Sequence, residues 1–286
     1  MRKVLRWCIL IVSVITFVIS IGIIIWYYSN RAKDQEKIDE LKEIISTEDY
    51  TTKDTTGTTT SSSSTTDKYL KYYIIDGTVV QAKYKDIYIK NHDYIGWLQS
   101  DNTKIDYPIV YTPDNTDYYL RKDFDKNYSI GGTLLFGAGA DIEKPTDNIF
   151  IYGHKMSDGS MFGSLENYLD EDYYLEHKYF QMNTLVEDGT YEVVAAFRTK
   201  SYFDDPNTFS IYTQQNLTKD QFEQFKAVIK ELTKYKTTDI SYGDEFITLS
   251  TCSYYTTNGR FVVIAKKIKS IKVDLTKDPI EVINTK

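Results

Sequence analysis

Ile247-Thr248-Leu249-Ser250-Thr251-Cys252, with Arg260 beyond a short loop, is the stretch on which the reading of this chain turns. Its residues are almost all apolar or β-branched, the composition of a buried or half-buried strand. Residues 253–259 are polar and end in Asn258-Gly259, a strong turn signal, and Phe261-Val262-Val263-Ile264-Ala265 after them is a second strand. Two such runs joined by a turn-rich loop predict an antiparallel pair in which Cys252 ends one strand and Arg260 opens the next. Their side chains can then face one site, where a guanidinium donates to an oxyanion and favours a thiolate. From this hairpin alone, a small buried cysteine beside a surface arginine is the readier explanation.

The chain has 286 residues and two cysteines. Cys8 lies in a hydrophobic N-terminal segment, so Cys252 has no plausible intramolecular disulfide partner; a lone thiol in an exported domain calls for an explanation, and a reactive nucleophile is one. The length suits a membrane segment plus one mid-sized domain. A net charge of −7 argues against nucleic acid as a partner. With three His, two Cys, no zinc-type spacing and no Gly-rich phosphate loop, no metal or other cofactor is expected.

Residues 1–6 carry Arg2, Lys3 and Arg6, and residues 7–28 carry no charge. As a helix the uncharged stretch is about 33 Å long, enough to span a bilayer. The basic cluster before it keeps the N-terminus cytoplasmic and sends the rest outside. No small-x-small site follows the apolar run, which favours an uncleaved signal anchor over a signal peptide. Residues 29–66 divide into an amphipathic helix over 32–46, with Ile38, Leu41, Ile44 and Ile45 at helical spacing, and a Thr/Ser stretch over 51–66. Such a stretch cannot bury a core and reads as a disordered spacer that lets the folded domain stand off from the membrane. The folded domain is expected over residues 67–273, with a polar tail over 274–286.

Within that domain, a helix is predicted over 82–90 and strands over 94–98, 105–111, 118–120, 133–136 and 148–152. Residues 158–169 hold a short helix. Strands over 179–186 and 191–199 flank Glu187-Asp188-Gly189, read as a hairpin turn. After a polar, aromatic loop at 201–213, Thr218-Lys219-Asp220-Gln221 is a capping box that opens a helix with Phe222, Phe225, Ile229 and Leu232 on one face. Many short strands with interspersed helices predict a mainly β fold, a barrel or sandwich with added helices.

His154 follows the apolar run 148–152 and Gly153, so it too sits where a strand ends. A free cysteine is mostly protonated at neutral pH and needs a base, and His has the pKa range to take a proton and return it to a leaving amine. His92 and His177 sit in polar surroundings and read as surface residues.

These residues resemble a known family. Thr248-Leu249-Ser250-Thr251-Cys252, followed eight residues later by Arg260, resembles the active-site segment of sortases, membrane-anchored cysteine transpeptidases of Gram-positive bacteria. Tyr152-Gly153-His154-Lys155-Met156, with Gly159-Ser160-Met161-Phe162 after it, is similar to the histidine segment of class B sortases. Gly96-Trp97-Leu98, the run from Ile105 to Val110, Asp117-Tyr118-Tyr119-Leu120, and the helix from Thr218 to Leu232, placed before the last two strands, also resemble that class. The resemblance covers residues 82–268.

It implies a sortase-type eight-stranded β-barrel behind an N-terminal transmembrane helix, and a Cys252, His154, Arg260 site. Cys252 would attack the carbonyl of a Thr–Gly or Thr–Asn bond in an LPxTG-like or NPxTN-like C-terminal sorting signal, giving a thioacyl enzyme. His154 would move the protons and Arg260 would hold the substrate carbonyl or oxyanion. Ser250 is a candidate substrate contact, and the loop at 199–215 a candidate wall of the peptide groove. An amine of a peptidoglycan precursor would complete the transfer and anchor a surface protein to the cell wall. Three other readings stay open: a pilin-polymerising sortase, a hydrolytic surface cysteine protease, and a binding module with an inert Cys252. The absence of a papain-type Cys-Gly-x-Cys-Trp segment counts against the second.

Overall fold

The computed structural model describes residues 2–54, 70–137, 146–202 and 208–285. In chain order the helix α1 (Arg2–Asp54) is followed by β1 (Tyr72–Ile75), β2 (Thr78–Gln81), α2 (Lys85–Lys90), β3 (Tyr94–Gln99), β4 (Asp106–Val110), β5 (Leu134–Phe136) and β6 (Asn148–Tyr152). Then come α3 (Glu171–Glu176), β7 (Tyr179–Thr184), β8 (Glu187–Lys200), α4 (Lys219–Leu232), β9 (Phe246–Cys252), β10 (Gly259–Lys272) and β11 (Val282–Ile283).

Eight of these strands close into a barrel in the order β10-β8-β7-β3-β4-β5-β6-β9, the architecture that the resemblance implied. Side-chain alternation explains why both faces of its wall are apolar. Ile247 and Leu249 of β9 pack with Phe261, Val263 and Ala265 of β10 in the barrel interior. Phe246, Val262 and Ile264, out of phase by one, pack outside the wall against Phe222, Phe225 and Ile229 of α4. The predicted capping box opens α4: the Thr218 hydroxyl accepts from the Gln221 N–H, and the Gln221 side chain accepts from the Thr218 N–H. Leu232, assigned to the same face, remains 40% exposed at the helix end.

Three local expectations give way to other arrangements, and one further hairpin appears. Residues 118–120 form a turn rather than a strand. The hairpin between β7 and β8 turns at Leu185-Val186, because the Thr184 hydroxyl accepts the N–H groups of Val186 and Glu187 and closes the chain early. Asp188 and Gly189 therefore pair within the ladder, opposite Asn183 and Met182. Residues 72–81 are a hairpin about Asp76-Gly77, both at positive φ. The polar tail returns to the fold: β11 pairs in parallel with β1 and satisfies its open edge.

The larger departure is at the N-terminus. α1 is one uninterrupted helix of 53 residues. Its first half is long and apolar enough to cross a membrane and is solvent-facing. Its second half lies on the barrel: Leu41 is fully buried, with Ile38, Ile44 and Ile45 packed around the same cluster of Ile87, Tyr94 and Phe124. Ion pairs Lys42–Asp106 (2.7 Å) and Lys37–Asp125 (2.7 Å) border this contact. The amphipathic helix expected at 32–46 is thus present and docked. The expected spacer lies, from residue 55 onward, outside the described residues; in chain order it joins the docked helix to β1, so it does not separate the barrel from the apolar segment.

Because Leu41 has no exposure and a buried Leu→Ala change costs about 2–5 kcal/mol, Leu41→Ala is expected to lower the unfolding free energy of the barrel by that amount in the detergent-solubilised full chain. Denaturant unfolding followed by near-UV circular dichroism checks it, and an unchanged midpoint would mean that α1 does not belong to the folded unit.

Candidate active site

β6 and β9 lie side by side in parallel, with Tyr152 opposite Ser250. Two residues beyond that pair, at the same level, stand His154 and Cys252. β9 and β10 are antiparallel, with Cys252 directly opposite Arg260. Period-two alternation puts Cys252, Ser250 and Arg260 on the outer face of the wall, in phase with Phe246 and Val262. Cys252, His154, Arg260 and Ser250 line one pocket with Leu120, Thr133, Leu135, Tyr152, Gly153 and Thr251. The structure therefore brings together every site residue expected from the sequence.

Backbone contacts hold the strand ends in this register. The Gly153 N–H donates to the Ser250 carbonyl (3.2 Å), and the Gly153 carbonyl accepts from the Thr251 hydroxyl (2.8 Å). A side chain there would crowd the buried packing, since a Cβ at 153 would stand 2.6 Å from Leu134 Cδ2 and 2.7 Å from Phe162 Cδ2. The turn between β9 and β10 closes with Ser253 N–H on the Gly259 carbonyl (3.0 Å), and a Cβ at 259 would meet Ser253 O at 2.2 Å. Asn258, at positive φ, completes it.

Charge ties the segments flanking the pocket. Glu166 accepts from the Lys155 ammonium at 2.7 Å and from the Ser253 hydroxyl, and Arg198 lies 3.8 Å from it. Lys155 follows His154 and Ser253 follows Cys252, so one carboxylate grips both. Burial works against the charge on Glu166, but Lys155 and Ser253 hold its pKa below the usual carboxylate value.

His154 Nε2 lies 2.8 Å from the Leu120 carbonyl. A carbonyl only accepts, so Nε2 carries the proton and Nδ1 is the free base of the neutral ring. Burial lowers the His154 pKa; the Leu120 carbonyl opposes this, and nearby Arg121 adds to it. Burial and Arg121 together disfavour the imidazolium. Arg260 Nη1 donates to its own neighbour's carbonyl, Gly259 O (3.0 Å), which fixes the guanidinium at the mouth of the pocket.

Ser250 is buried, and its hydroxyl is 2.7 Å from the Tyr212 hydroxyl. Tyr212 stacks on Tyr152 with centroids 6.3 Å apart. The loop at 199–215 thus reaches the pocket through Tyr212, within its described residues. Sequence reasoning assigned no site role of their own to Leu120, Tyr152, Tyr212 or Glu166: a carbonyl has no side-chain signature, and Tyr152 and Tyr212 entered only as members of a matching segment and of a candidate loop. His92 pairs with Asp76 (3.2 Å) and His177 packs on Tyr173, both away from this pocket.

Comparison with known proteins agrees with this architecture. The sequence model of the sortase domain matches residues 98–268. The chain is 34% identical over 174 residues to Sortase B of Listeria monocytogenes, covering 60% of this chain and 68% of that one. Among solved structures it is similar to B. anthracis sortase B in complex with AAEK2, with a TM-score of 0.62 and 30% identity over 85% of this chain and 97% of the other. A Staphylococcus aureus sortase B–substrate complex matches with a TM-score of 0.57 and 26% identity, over 66% and 86% of the two chains. Matched along more than half its length, and matching sortase B proteins in sequence and in fold, the chain belongs to the sortase family, as a class B member and hence a cysteine transpeptidase.

Proposed function

We propose that this transpeptidase cuts a C-terminal sorting signal after Thr and joins the freed carbonyl to an amine of a peptidoglycan precursor. The observation that carries the proposal is the convergence of a lone thiol, an imidazole and a guanidinium on one pocket at three neighbouring strand ends.

Cys252 gives its proton to His154 and attacks the carbonyl carbon beyond the Thr side chain of the signal. Negative charge builds on the carbonyl oxygen, and Arg260 donates to it. The C–N bond then breaks, and the leaving amine takes the proton from His154. Burial of His154 makes its imidazolium a stronger acid than in water, which suits this step. The acyl group is now a thioester on Cys252. An incoming amine loses a proton to His154, attacks the thioester, and releases Cys252. Ser250 and Tyr212, hydrogen-bonded to each other beside the thiol, form the wall against which the signal peptide lies. An LPxTG-like or NPxTN-like signal on a surface protein is the substrate class in this reading. Residues 7–28 anchor the enzyme in the cell membrane, with residues 1–6 inside and the catalytic barrel, together with the docked half of α1, outside.

Incubation of the enzyme with a panel of sorting-signal peptides and triglycine, read by mass spectrometry, should give a product bearing the added glycines, and Cys252→Ala should give none. Cleavage with water as sole acceptor would favour a protease. Loss of one oxyanion donor costs about 10²–10³-fold in kcat, and an ammonium lacks the guanidinium fork, so Arg260→Lys should lose at least about a hundredfold. Near-normal turnover in that variant would remove Arg260 from the mechanism.

The protonation assignment is tested apart from turnover. NMR titration of His154 in the Cys252→Ala protein should give a pKa below the ordinary 6.5, because burial disfavours the imidazolium and Arg121 repels it. Arg121→Gln removes the second cause and should move the midpoint up. A midpoint at or above 6.5 in the parent protein would refute the downward shift.

A further inference from the structure

The barrel begins where the apolar segment of α1 ends. Residues 3–26 of α1 are exposed along their length, and partial cover starts at Tyr27, Asn30 and Arg31. Trp26 stacks on Tyr128, with ring centroids 6.3 Å apart, and Tyr128 lies in the turn between β4 and β5. One turn further on, Arg31 reaches Asp158 (3.4 Å) and the Ser160 hydroxyl in the segment after His154. Asp34 then accepts from the Ser129 hydroxyl (2.8 Å).

Helix rise sets the scale. From Tyr28, the end of the apolar run, to Arg31 is three residues, about 4.5 Å along the axis. Headgroups add roughly 5–8 Å to each side of a hydrocarbon core of ~30 Å. A helix that leaves the core at Tyr28 is still among headgroups when it meets the barrel at Arg31. Resting on the reading of residues 7–28 as a membrane span, we infer that the barrel lies directly on the bilayer and that the turn around Tyr128 is embedded in the phospholipid headgroup layer.

The side chains at this level suit that environment. Trp26 (53% exposed), Tyr28 (68%) and Tyr128 (58%) leave much of their rings open. Tyr and Trp favour the membrane–water boundary, where the ring is covered and the polar tip stays wet. In water the stacked Trp26–Tyr128 pair would leave much of both rings exposed. The contact also reaches toward the active site: the long loop between β4 and β5 that carries Tyr128 also carries Leu120, whose carbonyl lies 2.8 Å from His154 Nε2. The bilayer surface is thereby part of the enclosure of the catalytic histidine's loop, and substrates and acceptors tethered to the same membrane meet the pocket at a fixed height.

Site-directed spin labelling of the full chain in phospholipid nanodiscs tests this. In a Cys8→Ala, Cys252→Ala background, single nitroxides are placed by Asn127→Cys, Ile15→Cys and Lys230→Cys. Asn127 is exposed beside Tyr128 and leaves that ring in place, and Lys230 is exposed on α4. Collisional access to oxygen and to a nickel chelate then reports depth. The label at 127 should read headgroup depth, that at 15 the hydrocarbon core, and that at 230 bulk water. Adding Tyr128→Asp should shift the 127 label toward the water value. If 127 matches 230 while 15 reads the core, the barrel stands off from the membrane and the inference fails although the anchor stands. If 15 also reads water, the anchor reading itself fails and takes the inference with it.

Discussion

The parallel pairing of β6 with β9 is the constraint on which the site depends. Hydrogen bonds in a parallel ladder fix which residues stand level, and here Tyr152 stands level with Ser250. His154 and Cys252 each follow two residues later, so a one-residue slip would send one of them to the other face of the wall. Gly153 guards against the slip from both sides, donating to Ser250 and accepting from Thr251. The antiparallel β9–β10 pair then sets Arg260 against Cys252 by the same logic. Three chemical groups far apart in sequence share a pocket because the barrel fixes two neighbouring registers. No interaction among the three side chains themselves is needed.

Outside that frame, the polar contacts act on the neighbours of the reactive groups. Glu166 holds Lys155 and Ser253, one step beyond His154 and Cys252. Leu120 presents its carbonyl to the imidazole, and its loop is gripped through Ser129 by Asp34 of α1. Arg31 grips the other flank through Asp158 and Ser160. A partly exposed ion pair of this kind is worth little in stability. Its value here is geometric, because a misplacement of about 1 Å at a reacting group can cost a hundredfold in rate.

The sequence was legible where a feature is local. The hairpin 246–265, the capping box at Thr218 and the apolar N-terminal run each follow from neighbouring residues, and each is found. His154 was suggested as the base by its place at a strand end and its chemistry, and the resemblance completed the triad; nothing in residues 148–154 announces a parallel partner a hundred residues away. The Asp76-Gly77 turn, both residues at positive φ, is a hairpin signal that the sequence reading did not use. Thr184 overrode the Asp-Gly pair at 188–189 with a hydroxyl that satisfies two N–H groups, a competition that pattern reading does not weigh. The docking of α1 was hidden for a different reason: an amphipathic face has the same spacing whether it meets a barrel, a membrane or a partner.

The electrostatics of His154 carry a tension that its neighbours resolve. A depressed pKa makes the imidazole a weaker base toward the thiol, which works against forming the ion pair. The same depression makes the imidazolium a better acid toward a leaving amine. An enzyme that relied on the resting thiolate would surround the histidine with carboxylates, yet the charges nearest this site are cationic: Arg121 acts on His154, and Arg260 stands opposite Cys252. In the proposed mechanism Arg260 serves the oxyanion, a charge that forms only during reaction, and an interaction made only then lowers a barrier without trapping the ground state.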